Sequence, residues 1–525
     1  MLKVDPHDRE KLIDPLFQFS WRYGLFVMSL ALIVAWGVLL YIRQYQQGLA
    51  ITGMNRPVYW GLYMVNFVFF IGISLAGTFT SAILRLTGAE WRRPITRLAE
   101  AVTVFALLIA TIQIVIDMGR PERLIYVVQY GRLQSPILWD VMIVTTYLLS
   151  SLIYLYLPLI PDAALIRDNM PAHAANWQRF FYRALALGWR GNVEQWRRLE
   201  KIVSLMAVII IPVAVSVHTI TSWLLATTVQ PGWHSTVFGP YFVVTAIFSG
   251  ISAIFVVMTV INRVQNLYAY ITIRQYKGLA WLFITMAIIW GYFTYTETLT
   301  LIAGQQLHEF PVLASKLWGQ DIVTFWVMIV LLAVAFFIVI TAMLAPLGLR
   351  YYTILQPRFA VPALLIGLFL ILLLTDVNYA SIGDSGGWIN LRAFAWASVG
   401  LCLLIAFLSV SAWLRWNLVP ATVIAGLMVL AGTWIERWNI IVPTLTHPRM
   451  IQYSTYTPTL TEIGITIASV ALFFLLFSVF FKLLPPVSIW EVAEGRLVEA
   501  AHESVSVPVP EPSDLAQKKR RWIFR

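Results

Sequence analysis

The chain has 525 residues, of which 59% are hydrophobic and 12% are charged, and its formal net charge is +11. This composition excludes a large soluble domain and favours an all-α polytopic membrane protein, because each membrane span needs about 20 apolar residues. Its one cysteine, Cys402, excludes an internal disulfide. One thiol also cannot hold an iron–sulfur cluster, and no C-x-x-C-H motif is present to attach a c-type haem. The basic excess is typical of cytoplasmic loops in membrane proteins, and we expect no binding to nucleic acid.

Hydropathy predicts twelve membrane spans. They lie at roughly 25–43, 59–84, 97–116, 137–158, 202–228, 239–262, 278–303, 322–346, 359–377, 391–414, 417–436 and 462–483. Most of the 37 lysine and arginine residues fall in the N-terminal segment, the even-numbered links and the C-terminal tail. The bias of positive charge toward the cytoplasm therefore predicts that residues 1–24 and the basic tail, 486–525, are both cytoplasmic. We expect no cleavable signal peptide, and the first span should direct insertion.

Two acids mark the facing ends of the third and fourth spans. Asp117 ends the run IQIVID, and Asp140 lies in QSPILWD at the start of the next span. Ionisable residues inside membrane spans are costly to bury and are candidates for function, with a local partner expected. Arg120 and Arg123 are the predicted partners.

Other ionisable residues cluster toward the predicted outer side. His218, Glu297, Glu436 and Glu462 lie in or at the end of outer half-spans, whereas Glu100 lies on the inner side. Glu436 and Glu462 could equally be helix caps at the surface. His218 is the only histidine within a span, so a haem with two histidine ligands is disfavoured. It could be a hydrogen-bonded structural residue or a proton relay.

The second span is rich in small residues, including Gly72, Ser74, Gly77, Thr78 and Ser81. Small side chains at this spacing allow close helix packing, which we consider their main role. The sixth span is similarly rich in small residues. We therefore predict two related four-helix bundles, one over 59–228 and a second beginning at 239, with peripheral helices beside them.

Several motifs together resemble the NrfD/PsrC-like membrane subunits that interact with quinones. They include GISLAGTFTSAI, GRPERLIY, SPILWD, SVHT, PGWHSTVFGPYFV, FTYTE, ERWNIIVPTL and PTLTEIG, in this order. Within that family the chain is most similar to the ActC subunits of bacterial alternative complex III. The resemblance implies ten family-like spans, with a core at 25–346, an inserted helical hairpin at 350–416 and the last family-like spans within 417–485.

The sequence departs from the family pattern at two positions. Asp117 stands where similar proteins usually show histidine, and Leu75 replaces the histidine of a GHAGT-type motif. A buried carboxylate could still accept a proton from a quinol, although the role of an imidazole would be lost.

The resemblance also implies a function. We expect a quinol-oxidising subunit with Asp140 and Asp117 as catalytic bases, and with Arg120, Tyr126, Tyr130 and Trp139 completing a quinol or menaquinol site. His218, Glu297 and Glu100 would form a proton path, with proton translocation as a further expectation. This chain would itself hold no haem, iron–sulfur cluster or metal.

The implied partners are an extracytoplasmic iron–sulfur subunit, a multihaem cytochrome c, a second NrfD-like membrane subunit and lipids, all in a bacterial cytoplasmic membrane. Two alternatives stay open: a membrane anchor of a molybdoenzyme such as polysulfide reductase, and a secondary transporter.

Overall fold

The computed structural model describes residues 5–228, 230–344, 414, 416–450 and 452–496. Ten helices in these residues are long and apolar enough to cross a membrane. They are α1 Trp21–Gln47, α2 Leu62–Leu86, α3 Thr96–Asp117, α4 Pro136–Tyr156, α5 Val193–Ala226, α6 Phe238–Gln265, α7 Ile273–Gly304, α8 Ile322–Leu344, α9 Leu418–Thr446 and α10 Leu460–Leu483. The predicted ninth and tenth spans, and with them the inserted hairpin at 350–416, lie outside the described residues apart from residues 414 and 416. The total of twelve spans therefore stays a prediction.

Local sequence signals fix several helix ends. Pro136 is the first residue of α4, where its missing N–H removes no helical hydrogen bond. Gly48, at φ 77°, ends α1 in a conformation that residues with a side chain rarely adopt. At the start of α10, Glu462 accepts a hydrogen bond from the backbone N–H of Thr459 at 2.8 Å, as in a capping box.

The helices pack as two four-helix bundles with a flanking pair. Helices α2 to α5 form the first bundle, and α6 to α9 form the second. Helix α6 packs along α2 and joins the two bundles, while α1 and α10 pair with each other beside α3. For the residues that the structure describes, the prediction of an all-α membrane protein with two bundles and peripheral helices is confirmed.

Helices α2 and α3 approach closely because of a glycine in α2. A Cβ added to Gly77 would lie 2.1 Å from the carbonyl oxygen of Ala99 and 2.2 Å from Oγ1 of Thr103. Both distances are far below van der Waals contact. The small residues of the second span thus serve helix packing, as the sequence indicates.

The segment after α10 is fixed beneath the first bundle by a buried ion pair. Arg97, in the first turn of α3, pairs with Asp162, and both side chains are almost fully buried. Asp162 also accepts hydrogen bonds from the backbone N–H of Trp490, at 3.0 Å, and from Ser488 Oγ, at 3.2 Å. The pair therefore attaches residues 488–490 to the end of the bundle that is predicted to face the cytoplasm.

Candidate functional site

Asp140 lies buried at the start of α4, where that helix packs on α5. Only 5% of the residue is exposed. Its Oδ1 accepts a hydrogen bond from Oγ1 of Thr221 at 2.8 Å. The carboxylate therefore has one short hydroxyl partner in a largely apolar environment, a setting in which a carboxylate can accept a proton from a bound hydroxyl group.

Asp117, the last residue of α3, has different neighbours. Its Oδ1 is buried without a hydrogen-bond partner. The preceding carbonyl, of Ile116, accepts a hydrogen bond from Gln44 of α1 at 3.4 Å. Asp117 therefore lies toward the α1 side of the first bundle, whereas Asp140 faces α5. No hydrogen bond joins the two acids among the described residues.

The sequence-based pairing of Asp117 with Arg120 or Arg123 is wrong. Both arginines are exposed in the link between α3 and α4. Neither forms an ion pair within 4.0 Å in the described part of the chain. The arginines that do form ion pairs there include Arg85, Arg97 and Arg437. Gly119 and the 3₁₀ turn Pro121–Arg123 lie between the end of α3 and the short helix Leu124–Gln129. The turn leaves both guanidinium groups in solvent, where they keep their hydration.

The three aromatic residues predicted to border the ring lie on the surface at this end of the bundle. Tyr126 and Tyr130 contact each other edge to face at 5.7 Å, and they are 53% and 77% exposed. Trp139 is 37% exposed, and its indole N–H donates to the carbonyl of Leu133. In the isolated chain these rings border an open surface rather than a closed slot.

His218 is buried in α5, and both of its ring nitrogens face backbone carbonyls. Nδ1 lies 2.9 Å from the oxygen of Ala214, and Nε2 lies 3.1 Å from the oxygen of Ile71 in α2. These contacts give the histidine a structural role that ties α5 to α2. Its part in a proton path stays a prediction.

Buried hydroxyl groups continue along the same face of α2. The hydroxyl of Tyr147 lies 2.9 Å from Oγ1 of Thr78, and it donates to the carbonyl of Ser74 at 3.1 Å. One turn further along α2, Ser81 donates to the carboxylate of Glu100 at 2.7 Å. Glu100 therefore belongs to a polar cluster inside the first bundle.

That cluster also includes Tyr154, whose hydroxyl lies 3.3 Å from Oγ of Ser81. Toward the end that is predicted to be cytoplasmic, Arg85 forms an ion pair with Glu491, and Nη1 of Arg92 lies 3.5 Å from the same carboxylate. The polar groups thus extend from the middle of the first bundle to the end that is predicted to be cytoplasmic.

Of the three remaining acids, one caps a helix and two lie in a second polar region. Glu462 accepts hydrogen bonds from the Tyr456 hydroxyl at 2.6 Å and from the backbone N–H of Gly53 at 2.7 Å, in addition to its capping bond. It is a structural cap, but it is fully buried, so the interpretation of Glu462 as a cap at the surface is wrong. Glu297 and Glu436, by contrast, both line a pocket in the second bundle.

Sequence reasoning missed the residues whose importance depends on tertiary contacts. Thr221 is three residues after His218, so both lie on one helix face. The α2 residues Ser74, Thr78 and Ser81 also share a face, through spacings of four and three. That spacing could have indicated a polar row as well as a packing surface. Nothing in the sequence pattern pointed to Tyr147 as the partner of that row.

Residues 50–356 match the sequence profile of the family described as polysulphide reductase, NrfD. A putative dimethyl sulfoxide reductase membrane subunit of Halobacterium salinarum is 30% identical over 243 residues, which cover 46% of this chain and 52% of the relative. A selenate reductase subunit of Mesobacillus selenatarsenatis is 26% identical over 238 residues, 43% of this chain and 54% of the relative.

A third relative is an Hdr-like menaquinol oxidoreductase integral membrane subunit of Archaeoglobus fulgidus. It is 23% identical over 291 residues, which cover 55% of this chain and 63% of the relative. The chain spans about half the length of the first two curated relatives. Because the family profile matches more than half of the chain, the protein belongs to the polysulphide reductase NrfD family.

Proposed function

We propose that this chain is the quinol-binding membrane subunit of an electron-transfer complex, and that it oxidises quinol near Asp140. The observation that carries the proposal is the buried carboxylate of Asp140, held by Thr221 at 2.8 Å near the end of the first bundle. The names of the relatives, among them a menaquinol oxidoreductase subunit, support the same class of activity.

The proposed reaction removes two electrons and two protons from a quinol and leaves a quinone. The electrons pass to an iron–sulfur partner on the extracytoplasmic side. Asp140 accepts one hydroxyl proton, and Asp117 is the second candidate base. A positioned base of this kind typically contributes a factor of about 10²–10⁴ to the rate.

Arg120, Tyr126, Tyr130 and Trp139 surround the entrance in this proposal. Their exposure in the isolated chain leaves a surface on which a partner protein can complete the site. Proton transfer across the bundle would use Glu100 and the hydroxyl row of α2, with His218 and Glu297 as the other members of the predicted path.

Two kinds of complex are consistent with this role. Similarity to ActC motifs supports alternative complex III, with a multihaem cytochrome c and a second NrfD-like protein as partners. The relatives named as dimethyl sulfoxide and selenate reductase subunits support instead a molybdoenzyme anchor. No observation beyond the predicted number of spans and the two possible repeats favours a secondary transporter.

Purification of the native complex tests the function and separates the two assemblies. We expect a menaquinol analogue to reduce the iron–sulfur clusters of the purified complex. The reduction can be measured through the electron paramagnetic resonance signals of the clusters. Co-purification of a multihaem cytochrome supports alternative complex III, and a molybdopterin protein supports the other assembly. Clusters that stay oxidised in an intact complex with excess quinol would overturn the proposal.

A further inference from the structure

The second bundle contains a pocket that the proposed reaction does not use. About 820 Å³ of space lies between its walls, and this volume includes the solvent at its open mouth. Residues from α6, α7, α8 and α9, and from the short helix Phe310–Leu317, form its walls. We call it the second-bundle pocket.

Most of its lining is apolar or aromatic. Trp233, Phe238, Phe293 and Phe325 contribute rings, and Leu301 contributes an aliphatic wall. Apolar walls with a few convergent polar groups are typical of sites for small organic ligands.

Glu436 supplies an unused hydrogen-bond acceptor in this pocket. The residue is 1% exposed, and its Oε1 accepts hydrogen bonds from the Tyr241 hydroxyl and, at 2.7 Å, from the indole N–H of Trp290. Its Oε2 is buried with no hydrogen-bond partner. It forms an ion pair with Nη1 of Arg437 at 3.8 Å, a distance that is too long for a hydrogen bond. Leaving a buried oxygen without a hydrogen bond is costly, so a ligand that donates a hydrogen bond would be stabilised there.

Lys316 supplies a donor in the same pocket. It lines the pocket from the short helix Phe310–Leu317, and it makes no ion pair within 4.0 Å in the described part of the chain. Burial lowers the pKa of its ammonium to about 8, while Glu297 and Asp321 oppose that shift. At neutral pH the group is mostly protonated and can donate to a carbonyl.

The charges narrow the class of ligand. Glu297, Glu309 and Glu436 disfavour an anionic head group such as a lipid phosphate. Lys316 disfavours a cationic amine beside it, and Arg437 does the same at Oε2 of Glu436, 3.8 Å from its Nη1. A neutral ring with hydroxyl or carbonyl oxygens can donate to Glu436, accept from Lys316 and pack against the aromatic walls.

We propose that the second-bundle pocket is a second binding site for a neutral hydroxy- or keto-aromatic ring of the quinol and quinone class, separate from the site at Asp140. Binding involves no covalent step. The proposal depends on the pocket and on its polar groups that lack hydrogen bonds, and not on the reaction at Asp140.

Photolabelling of the purified complex tests this site. The probe is a decyl-benzoquinone that carries an aryl azide, with cross-linked peptides identified by mass spectrometry. We expect labelling in residues 293–301 or 436–444, and excess decyl-benzoquinone without the azide should suppress it. Labelling confined to residues 117–140, or labelling in the second bundle that the competitor leaves unchanged, would overturn the proposal.

A matched pair of variants on α7 controls for position and folding. Thr298 lines the pocket, whereas Thr300 is exposed on the same helix. We expect Thr298→Phe to fill the pocket and reduce second-bundle labelling at least tenfold, and Thr300→Phe to leave it unchanged. Equal labelling in the two variants would contradict the proposal.

A third variant separates this inference from the proposed function. Asp140→Asn should stop quinol oxidation and leave labelling of the second bundle intact. If the wild-type complex oxidises no quinol, the proposed function is wrong. Labelling at residues 293–301 or 436–444 would still show whether the second binding site exists.

Discussion

At the scale of single residues, two identical side chains have different roles because their neighbours differ. Asp117 and Asp140 were both expected from the sequence, because each is an acid at the end of an apolar span. Their positions could be predicted because a helix end follows from local sequence. Their partners could not be predicted, because Thr221 is far from Asp140 in the chain and the expected partner Arg120 lies in solvent.

Thr221 is expected to act as a positioning residue for Asp140. Thr221→Val keeps the shape of the side chain and removes the hydroxyl that donates to the carboxylate. A hydrogen bond to a charged group contributes about 1.5–3 kcal/mol, so kcat for quinol oxidation should fall about tenfold or more, with little change in KM. Thr221→Ser, which retains a hydroxyl, should restore most of the rate. Equal rates for the Val and Ser variants would contradict this role.

Lys316 should make the stability of the protein depend on pH. Burial lowers the pKa of its ammonium from 10.5 to about 8, so between these values the unfolded chain binds more protons than the folded chain. The folded state should therefore gain stability as pH rises through this window. We expect the Tm of the wild type, relative to Lys316→Met, to increase between pH 7 and pH 9.5. A difference in Tm that is constant with pH would contradict the assignment.

At the scale of helices, one sequence pattern in α2 serves two purposes. Gly77 allows α3 to approach, while Ser74, Thr78 and Ser81 form a polar row with Tyr147 and Glu100. The packing role could be predicted because small residues are recognisable in a span. The polar row could not, since it depends on side chains that α3 and α4 bring to the same face.

Gly77→Ala should destabilise the contact between α2 and α3. Its new Cβ would collide with the Ala99 carbonyl, and overpacking of this kind typically costs about 1–3 kcal/mol. The Tm in detergent should therefore fall. Gly291→Ala in α7 is the matched control, because a Cβ there meets no atom within 4 Å, and alanine favours a helix. A Tm for Gly77→Ala equal to that of the control would rule out the close approach.

At the scale of the whole molecule, composition and hydropathy were enough to predict the class of fold. Ten of the predicted spans correspond to helices α1–α10, because a run of about 20 apolar residues has few stable alternatives in lipid. Two bundles were expected from the small residues that recur in the second and sixth spans, whereas the contact of α2 with α6 that joins the bundles was not expected. The second-bundle pocket was not expected, since its lining comes from separate parts of the chain.

The predicted orientation places both termini in the cytoplasm. It can be tested with single cysteines in a Cys402→Ser background and a maleimide that does not cross membranes. In intact cells we expect Arg132→Cys, in the exposed link before α4, to react, and Arg183→Cys, in the link before α5, to be protected. The reverse pattern would invert the orientation and place the Asp140 end in the cytoplasm.

The most direct test of the central claim is the rate at which quinol reduces the partner clusters in a complex that carries Asp140→Asn. Asparagine preserves the size of the side chain and removes the base. We predict that the variant assembles normally and loses turnover by about 100-fold or more, while Asp140→Glu retains part of the activity. Normal turnover by an assembled Asp140→Asn complex would contradict the account.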